Sequence, residues 1–145
     1  MTLSHRTDFA LRTLMFLAGH GPKRATSSEI ATIFDIPVNH LVKIVNELAH
    51  RGYVRTIRGP GGGVELARDS REIPLGEVIE DLQGPIRLHD CVAVSGTCAI
   101  ETICRLRGIL RQADEAQARF LNRFTLADIV PRMPNQGQES FDPSI

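Results

Sequence analysis

Residues 27–50 read Ser27-Ser28-Glu29-Ile30-Ala31-Thr32-Ile33-Phe34-Asp35-Ile36-Pro37-Val38-Asn39-His40-Leu41-Val42-Lys43-Ile44-Val45-Asn46-Glu47-Leu48-Ala49-His50. The spacing predicts a short helix from Ser28 to Phe34 with Ser27 as its cap. Asp35-Ile36-Pro37 breaks it, and a second helix follows from about Val38 to His50. In that helix Leu41, Ile44, Val45 and Leu48 fall on one inward face, and Gly52 supplies the C-terminal stop. Two short helices around a tight turn make a helix-turn-helix, whose second helix enters the major groove of DNA. Its outward residues Asn39, His40, Lys43 and Asn46 are types that read base edges or grip phosphate. Ser28, at the start of the first helix, joins that set. A helical hairpin with a polar face is also a common structural unit, so this stretch alone leaves both readings open.

The next residues narrow them. Tyr53-Val54-Arg55-Thr56-Ile57 alternates as a strand, Val64-Glu65-Leu66-Ala67 is its return, and Arg58-Gly59-Pro60-Gly61-Gly62-Gly63 joins them. A hairpin directly after a helix-turn-helix is a wing. With Gly61, Gly62 and Gly63 at its tip the backbone can approach a sugar-phosphate wall, with Arg55 and Arg58 beside it. Three consecutive glycines exceed the need of a two-residue hairpin turn. A nucleotide-cradling loop is a poor alternative, because no Lys-Ser/Thr follows and no helix begins there.

Upstream, residues 5–20 form a helix with a broad apolar face from Phe9 to Ala18, ended by Gly19, Gly21 and Pro22. Asp8 lies in its first turn with Arg12 four residues on, which by itself describes an ordinary carboxylate near a helix N-terminus in an i,i+4 pair.

Downstream, Leu75 to Leu82 reads as a short helix closed by Gly84-Pro85. All three cysteines, Cys91, Cys98 and Cys104, then fall within fourteen residues, spaced C-x6-C-x5-C. Thiolates so close in sequence favour a soft metal ion or an iron–sulfur cluster; the alternative is three thiols packed as small hydrophobes. Cys104, near the start of the helix that follows, has the positive end of that helix's dipole to favour its thiolate. Three soft ligands leave one position open, which suits the sensing of a small molecule. A thiol enzyme pairing Cys91 with His89 is disfavoured, because no oxyanion site is apparent. A DNA-binding protein with a structural metal is the remaining alternative.

From about Glu101 to Phe124 a helix of about 36 Å is expected. Ile103, Leu106, Leu110, Ala113, Gln117, Phe120 and Phe124 trace a seam in steps of three and four. Pairing with the same helix of a second copy would cover it and give a two-fold dimer; packing across its own domain is the alternative. Thr125–Val130 forms a last short element, and the polar tail from Pro131 to Ile145 is expected to be disordered.

The 145 residues carry zero net charge, yet residues 1–70 hold 9 Lys+Arg against 6 Asp+Glu and residues 71–145 hold 8 against 11. A basic front half joined to an acidic back half fits a DNA-contacting module attached to something else. No secretory signal opens the chain and no apolar run approaches a membrane span; an odd cysteine count opposes a disulfide framework. A reducing cytoplasm is the expected compartment. The fold class is therefore mostly α with a small β-hairpin wing. A winged helix-turn-helix domain (1–72) precedes a connecting helix and cysteine loop (73–100). A dimerisation helix with its terminal short element (101–130) and the tail (131–145) complete the chain.

Several segments carry a resemblance: Thr7-Asp8-Phe9-Ala10-Leu11-Arg12, Asn39-His40-Leu41-Val42-Lys43, the Arg58–Gly63 tip, the cysteine trio, Leu106-Arg107-Gly108-Ile109-Leu110 and Thr125-Leu126-Ala127-Asp128. Together, over about residues 2–130, they resemble the family of bacterial winged-helix transcription regulators that includes NsrR and IscR. The likeness is strongest to its nitric-oxide-sensing, NsrR-type repressors. It implies a homodimer on a two-fold symmetric operator in double-stranded DNA, with Cys91, Cys98 and Cys104 binding an iron–sulfur cluster whose nitrosylation or loss lowers operator affinity. IscR-like members place a histidine three residues after the last cysteine, where this chain has Arg107. NsrR-like members use an aspartate of the first helix from the other subunit, and Asp8 stands at the matching position. The resemblance implies [4Fe–4S]; because the cysteine spacing does not fix nuclearity, [2Fe–2S] is the alternative. His5 and His89 are fallback ligands, each more simply read as a surface or packing histidine. The competing reading within the same fold is a regulator of cluster supply or thiol redox state.

Overall fold

Helix α1 (His5–Gly19) begins where Ser4 Oγ accepts the amide of Thr7 at 3.1 Å, satisfying one of the donors a helix start leaves free. The computed structural model describes residues 2–96 and 98–131. The expected disordered tail beyond Pro131 lies outside them. The buried stripe of α1 is narrower than its apolar residues suggest. Ala10, Leu14 and Leu17 are inside together with Thr7 and Thr13, while Phe9, Leu11, Met15 and Phe16 pack only partly against the core. Thr13 Oγ1 donates to the Phe9 carbonyl at 2.8 Å, which lets a hydroxyl enter the core.

Helix α2 (Ser27–Phe34) starts one residue earlier than its sequence suggests, and Thr26 rather than Ser27 caps it. Thr26 and Glu29 form a reciprocal capping box, the Glu29 carboxylate accepting the Thr26 amide at 2.6 Å while Thr26 Oγ1 accepts the Glu29 amide at 3.2 Å. Asp35 takes the left-handed conformation (φ 52°) that turns the chain, and α3 (Val38–His50) follows, with the expected residues inside: Leu41, Ile44, Val45 and Leu48. Each such buried aliphatic side chain contributes roughly 1.5–3 kcal/mol of hydrophobic stabilisation.

Strands β1 (Val54–Ile57) and β2 (Gly63–Leu66) pair antiparallel in the register Val54 to Leu66 and Ile57 to Gly63. Ala25, just before α2, adds a bridge on the other side of Val64, its amide and carbonyl bonding those of Val64 at 3.1 and 2.8 Å. The wing is thereby fastened to the loop between α1 and α2 as well as to α3.

Helix α4 (Leu75–Gln83) buries Val78, Ile79 and Leu82. Tyr53, 1% exposed, reaches toward it and donates its hydroxyl proton to Asp81 Oδ2 at 2.6 Å, with Glu77 Oε1 at 3.3 Å. Burial first, then the Asp81 carboxylate, hold the phenol well above its ordinary pKa, so the hydroxyl remains a donor. Tyr53→Phe should therefore lower stability by about 1–2 kcal/mol, read as an earlier urea midpoint with unchanged slope; an unchanged midpoint would refute the role.

The expected long helix is shorter. A single 3₁₀ turn (Glu101–Ile103) precedes Cys104, whose extended backbone (ψ 107°) separates it from α5 (Arg105–Leu121). The 17 residues of α5 span about 25 Å. At its other end the chain is drawn away to pair with residues 73–75: the Leu75 amide bonds the Phe124 carbonyl at 2.9 Å and the Leu126 amide bonds Ile73 at 2.8 Å. Leu126, in a last 3₁₀ turn (Leu126–Ile129), plugs into the core. Part of the seam stays uncovered: Ile103, Leu106 and Phe120 are 78%, 60% and 44% exposed and Ile109 beside it 62%, while Leu110, Ala113, Gln117 and Phe124 are half-buried. Among the described residues, no helix is long and apolar enough to cross a membrane.

Candidate functional site

Because Leu41, Ile44, Val45 and Leu48 anchor α3 inward, the 3.6-residue period turns Asn39, His40, Lys43 and Asn46 outward, and all four are exposed. Asn39 Oδ1 accepts the His40 amide at 3.0 Å, which leaves its amide nitrogen as the free donor. Lys43 and Asn46 make no hydrogen bond or ion pair among the described residues, so their groups are available to a ligand. Ser28, on the exposed side of α2's first turn, faces solvent as well.

The wing is more organised than its glycines suggest. Gly61 is exposed, whereas Gly62 and Gly63 are half-buried. A Cβ on Gly62 would lie 2.3 Å from the Ile57 carbonyl oxygen, and one on Gly63 (φ +147°) 2.9 Å from that of Ala25. Backbone crowding therefore requires these two glycines, Gly62 for the hairpin turn itself and Gly63 for the bridge to Ala25 outside it. Arg58 is exposed and unpaired among the described residues. Arg55 is exposed but engaged, its Nε donating to Glu65 Oε1 at 2.6 Å. The opposite oxygen of Glu65 accepts Arg24 Nε at 3.0 Å. The two guanidinium bonds, Arg55's the larger, hold the Glu65 carboxyl below its usual range.

The three thiols occupy a loop leading into α5. Cys91 lies in a 3₁₀ turn (Asp90–Val92), Cys98 is exposed, and Cys104 is the N-cap residue of α5; all three are free. Among the described residues no three His, Cys, Asp or Glu side chains converge as a metal-binding group. The donor chemistry nonetheless fits iron: three accessible thiols, none in a disulfide, two of them half-buried. A cleft of about 350 Å³ beside Cys104 is lined by Val92, Glu101, Thr102, Arg107 and Gly108.

Two carboxylates not anticipated from the sequence fix this loop. Glu101 accepts the Gly96 amide at 2.5 Å and pairs with Arg107. The Gly96 bond, more than the Arg107 charge, holds its carboxyl below the ordinary value. Asp114, 8% exposed on α5, accepts the Leu88 amide at 2.8 Å, while its other oxygen has no partner among the described residues. A carboxylate lying between two cysteines was the available signal for Glu101; Asp114 had none, because its partner is 26 residues away.

Asp8 is half-buried on α1, where Arg12 Nε donates to both of its oxygens at 3.1 Å. The structure thus contains the i,i+4 pair, and within one chain Asp8 joins no donor group with the cysteines. Of the fallback ligands, His89 Nδ1 accepts the Cys91 amide at 3.1 Å, a structural role. His5 lines a groove with Phe9, His40 and Lys43.

Residues 3–132 match the profile of Rrf2, described as an iron-dependent transcriptional regulator. The chain is 41% identical over 132 residues to the HTH-type transcriptional regulator NsrR of Geobacillus kaustophilus, covering 90% of each. It is 37% identical over 132 residues to NsrR of Bacillus subtilis, again covering 90% of each. Among solved structures it is similar to CymR, the global cysteine regulator of B. subtilis, with a TM-score of 0.75 at 24% identity over 90% of this chain and 96% of that one. IscR of T. potens gives a TM-score of 0.71 at 22% identity, covering 89% and 85%. At those identities the structural matches speak to the winged-helix fold alone.

Proposed function

The chain belongs to the Rrf2 family of iron-dependent transcriptional regulators, and from that membership we propose that it is a homodimeric DNA-binding repressor sensing nitric oxide through an iron–sulfur cluster. Cys91, Cys98 and Cys104 hold the cluster, [4Fe–4S] in the expected form, with Asp8 of the partner subunit as fourth ligand. The observation that carries the reading is the joining, in one short chain, of an outward cationic face on α3 and the wing to three free thiols at the root of an uncovered apolar helix.

Cys91, Cys98 and Cys104 would hold the cluster by their thiolates and the partner's Asp8 by a weaker oxygen, and the cluster would supply iron able to bind a small gas. The chain's own residues convert that state into DNA affinity. Asp8 stands on α1, and α1 packs directly on α3. An Asp8 engaged by the other protomer therefore ties each recognition helix to the dimer; an Asp8 returned to Arg12 leaves it untied. Two recognition helices match a two-fold operator only at one separation, so loosening that tie lowers affinity.

Anaerobic protein titrated with nitric oxide should lose visible absorption and operator binding in step; binding indifferent to the absorption change would end the reading. The DNA face has its own test. Lys43→Ala and Arg58→Ala should each weaken operator binding about tenfold at 0.15 M salt and flatten its salt dependence by about one phosphate. Unchanged affinity in both variants would remove this face from the interface.

The second reading keeps the fold and takes thiol redox state or cluster supply as the signal. Three free thiols, with Cys98 exposed, favour the thiol signal. Iron and acid-labile sulfide analysis of protein prepared without oxygen separates a bare-thiol regulator from a cluster-bound one, and the nitric oxide titration separates the cluster-bound signals.

A further inference from the structure

Between the loop that follows α1 and the wing tip lies a notch lined by Lys23, Arg24, Thr26, Glu29, Gly61 and Gly62, with Pro22 at its edge. Arg24 crosses its floor. Its Nε donates to Glu65 Oε2 at 3.0 Å and its Nη1 to the Gly61 carbonyl at 3.2 Å. A guanidinium has five N–H donors, so three of Arg24's remain, on a side chain 40% exposed. Lys23 beside it is exposed and unpaired among the described residues. Glu65 also holds Arg55, on the stem, at 2.6 Å.

We propose that Lys23 and Arg24 form a second DNA-backbone grip under the wing tip, with Glu65 as the positioning residue that sets Arg24 and Arg55 against a phosphate. The proposal rests on the DNA-binding reading of α3 and the wing, and extends the interface to a loop outside the helix-turn-helix. Surface ion pairs of this kind contribute little to folding. Here one carboxylate fixes two cations next to a tip where Gly61 and Gly62 carry no side chain to keep a phosphate wall away. Glu29 lies in the same notch, but its carboxylate is turned onto the Thr26 amide and hydroxyl at 2.6 and 3.0 Å. Three cations, Lys23, Arg24 and Arg55, stand against two anions, Glu29 and Glu65, and the balance is positive.

The test uses the full chain and a duplex enriched from random-sequence DNA by the unaltered protein, with affinity measured between 50 and 200 mM salt. Lys23→Ala and Arg24→Ala should each weaken binding about 5-fold and reduce the slope of log K against log salt by about one. Glu65→Gln gives the sharper result. Removing a negative charge near DNA should tighten binding if charge alone matters; release of Arg24 and Arg55 should weaken it about 3-fold, and Glu65→Asp should restore it. Thermal melts of all four variants should match the parent. Tighter or unchanged binding by Glu65→Gln overturns the positioning role. Unchanged affinity and slope in Lys23→Ala and Arg24→Ala, while Arg58→Ala and Lys43→Ala weaken binding, overturns the grip and leaves the DNA face standing. If Arg58→Ala and Lys43→Ala are also silent, the underlying reading fails instead.

Discussion

Cys98→Ala protein purified without oxygen is expected to lack the visible absorption and iron of the parent, and to bind operator DNA at least tenfold more weakly. Cys98 is the most accessible of the three cysteines and lies outside the buried core, so the fold should persist. The loop is held by other means, Glu101 on the Gly96 amide and Asp114 on the Leu88 amide. On the proposed reading, an iron–sulfur cluster held by three cysteines loses one of its thiolates in this variant, and a methyl group cannot bind iron. Cys91→Ala and Cys104→Ala should behave alike, with a somewhat larger cost in stability because both residues are half-buried. Iron content, the visible spectrum and operator affinity of the three variants decide the matter. A variant that keeps full absorption takes its cysteine off the ligand set, and retention in all three would dispose of the cluster.

The second large effect concerns α5. Leu106, on the seam, and Ile109, beside it, are 60% and 62% exposed, and the seam continues to the exposed Phe120. An amphipathic helix whose apolar stripe faces water signals a missing partner, and a second copy of α5 would cover it by two-fold symmetry. On the proposed reading the unaltered protein sediments as a dimer, and Leu106→Glu combined with Ile109→Glu should halve that mass. Each chain should still melt cooperatively, because neither side chain belongs to the buried core. Operator affinity should fall by about 100-fold, since the second half-site no longer binds as an intramolecular event. A variant that stays dimeric would show that the pairing surface lies elsewhere.

Much of this architecture follows from short-range pattern. The period of Leu41, Ile44, Val45 and Leu48 alone determined the inner face of α3 and turned Asn39, His40, Lys43 and Asn46 toward a ligand, because a helix fixes side-chain direction residue by residue. The hairpin, the clustering of Cys91, Cys98 and Cys104, and an apolar stripe on the last helix were equally legible. The glycine run was legible as a wing tip, but its cause was not: the carbonyls that crowd Gly62 and Gly63 belong to Ile57 and to Ala25, the latter outside the hairpin.

What tertiary structure decided were pairings between distant residues. The length of α5 was set at its far end by residues 73–75, which claim the backbone of Phe124 and Leu126, although the apolar spacing continues to Phe124. Glu65 meets Arg24 across 41 residues and Asp114 meets the Leu88 amide across 26. No local period encodes such meetings, since a charged side chain's partner depends on how whole elements pack. The sequence thus settled which residue types line the outward face of α3, the wing and the thiol loop, and the packing of α1, the wing and α5 settled which carboxylates hold them in place.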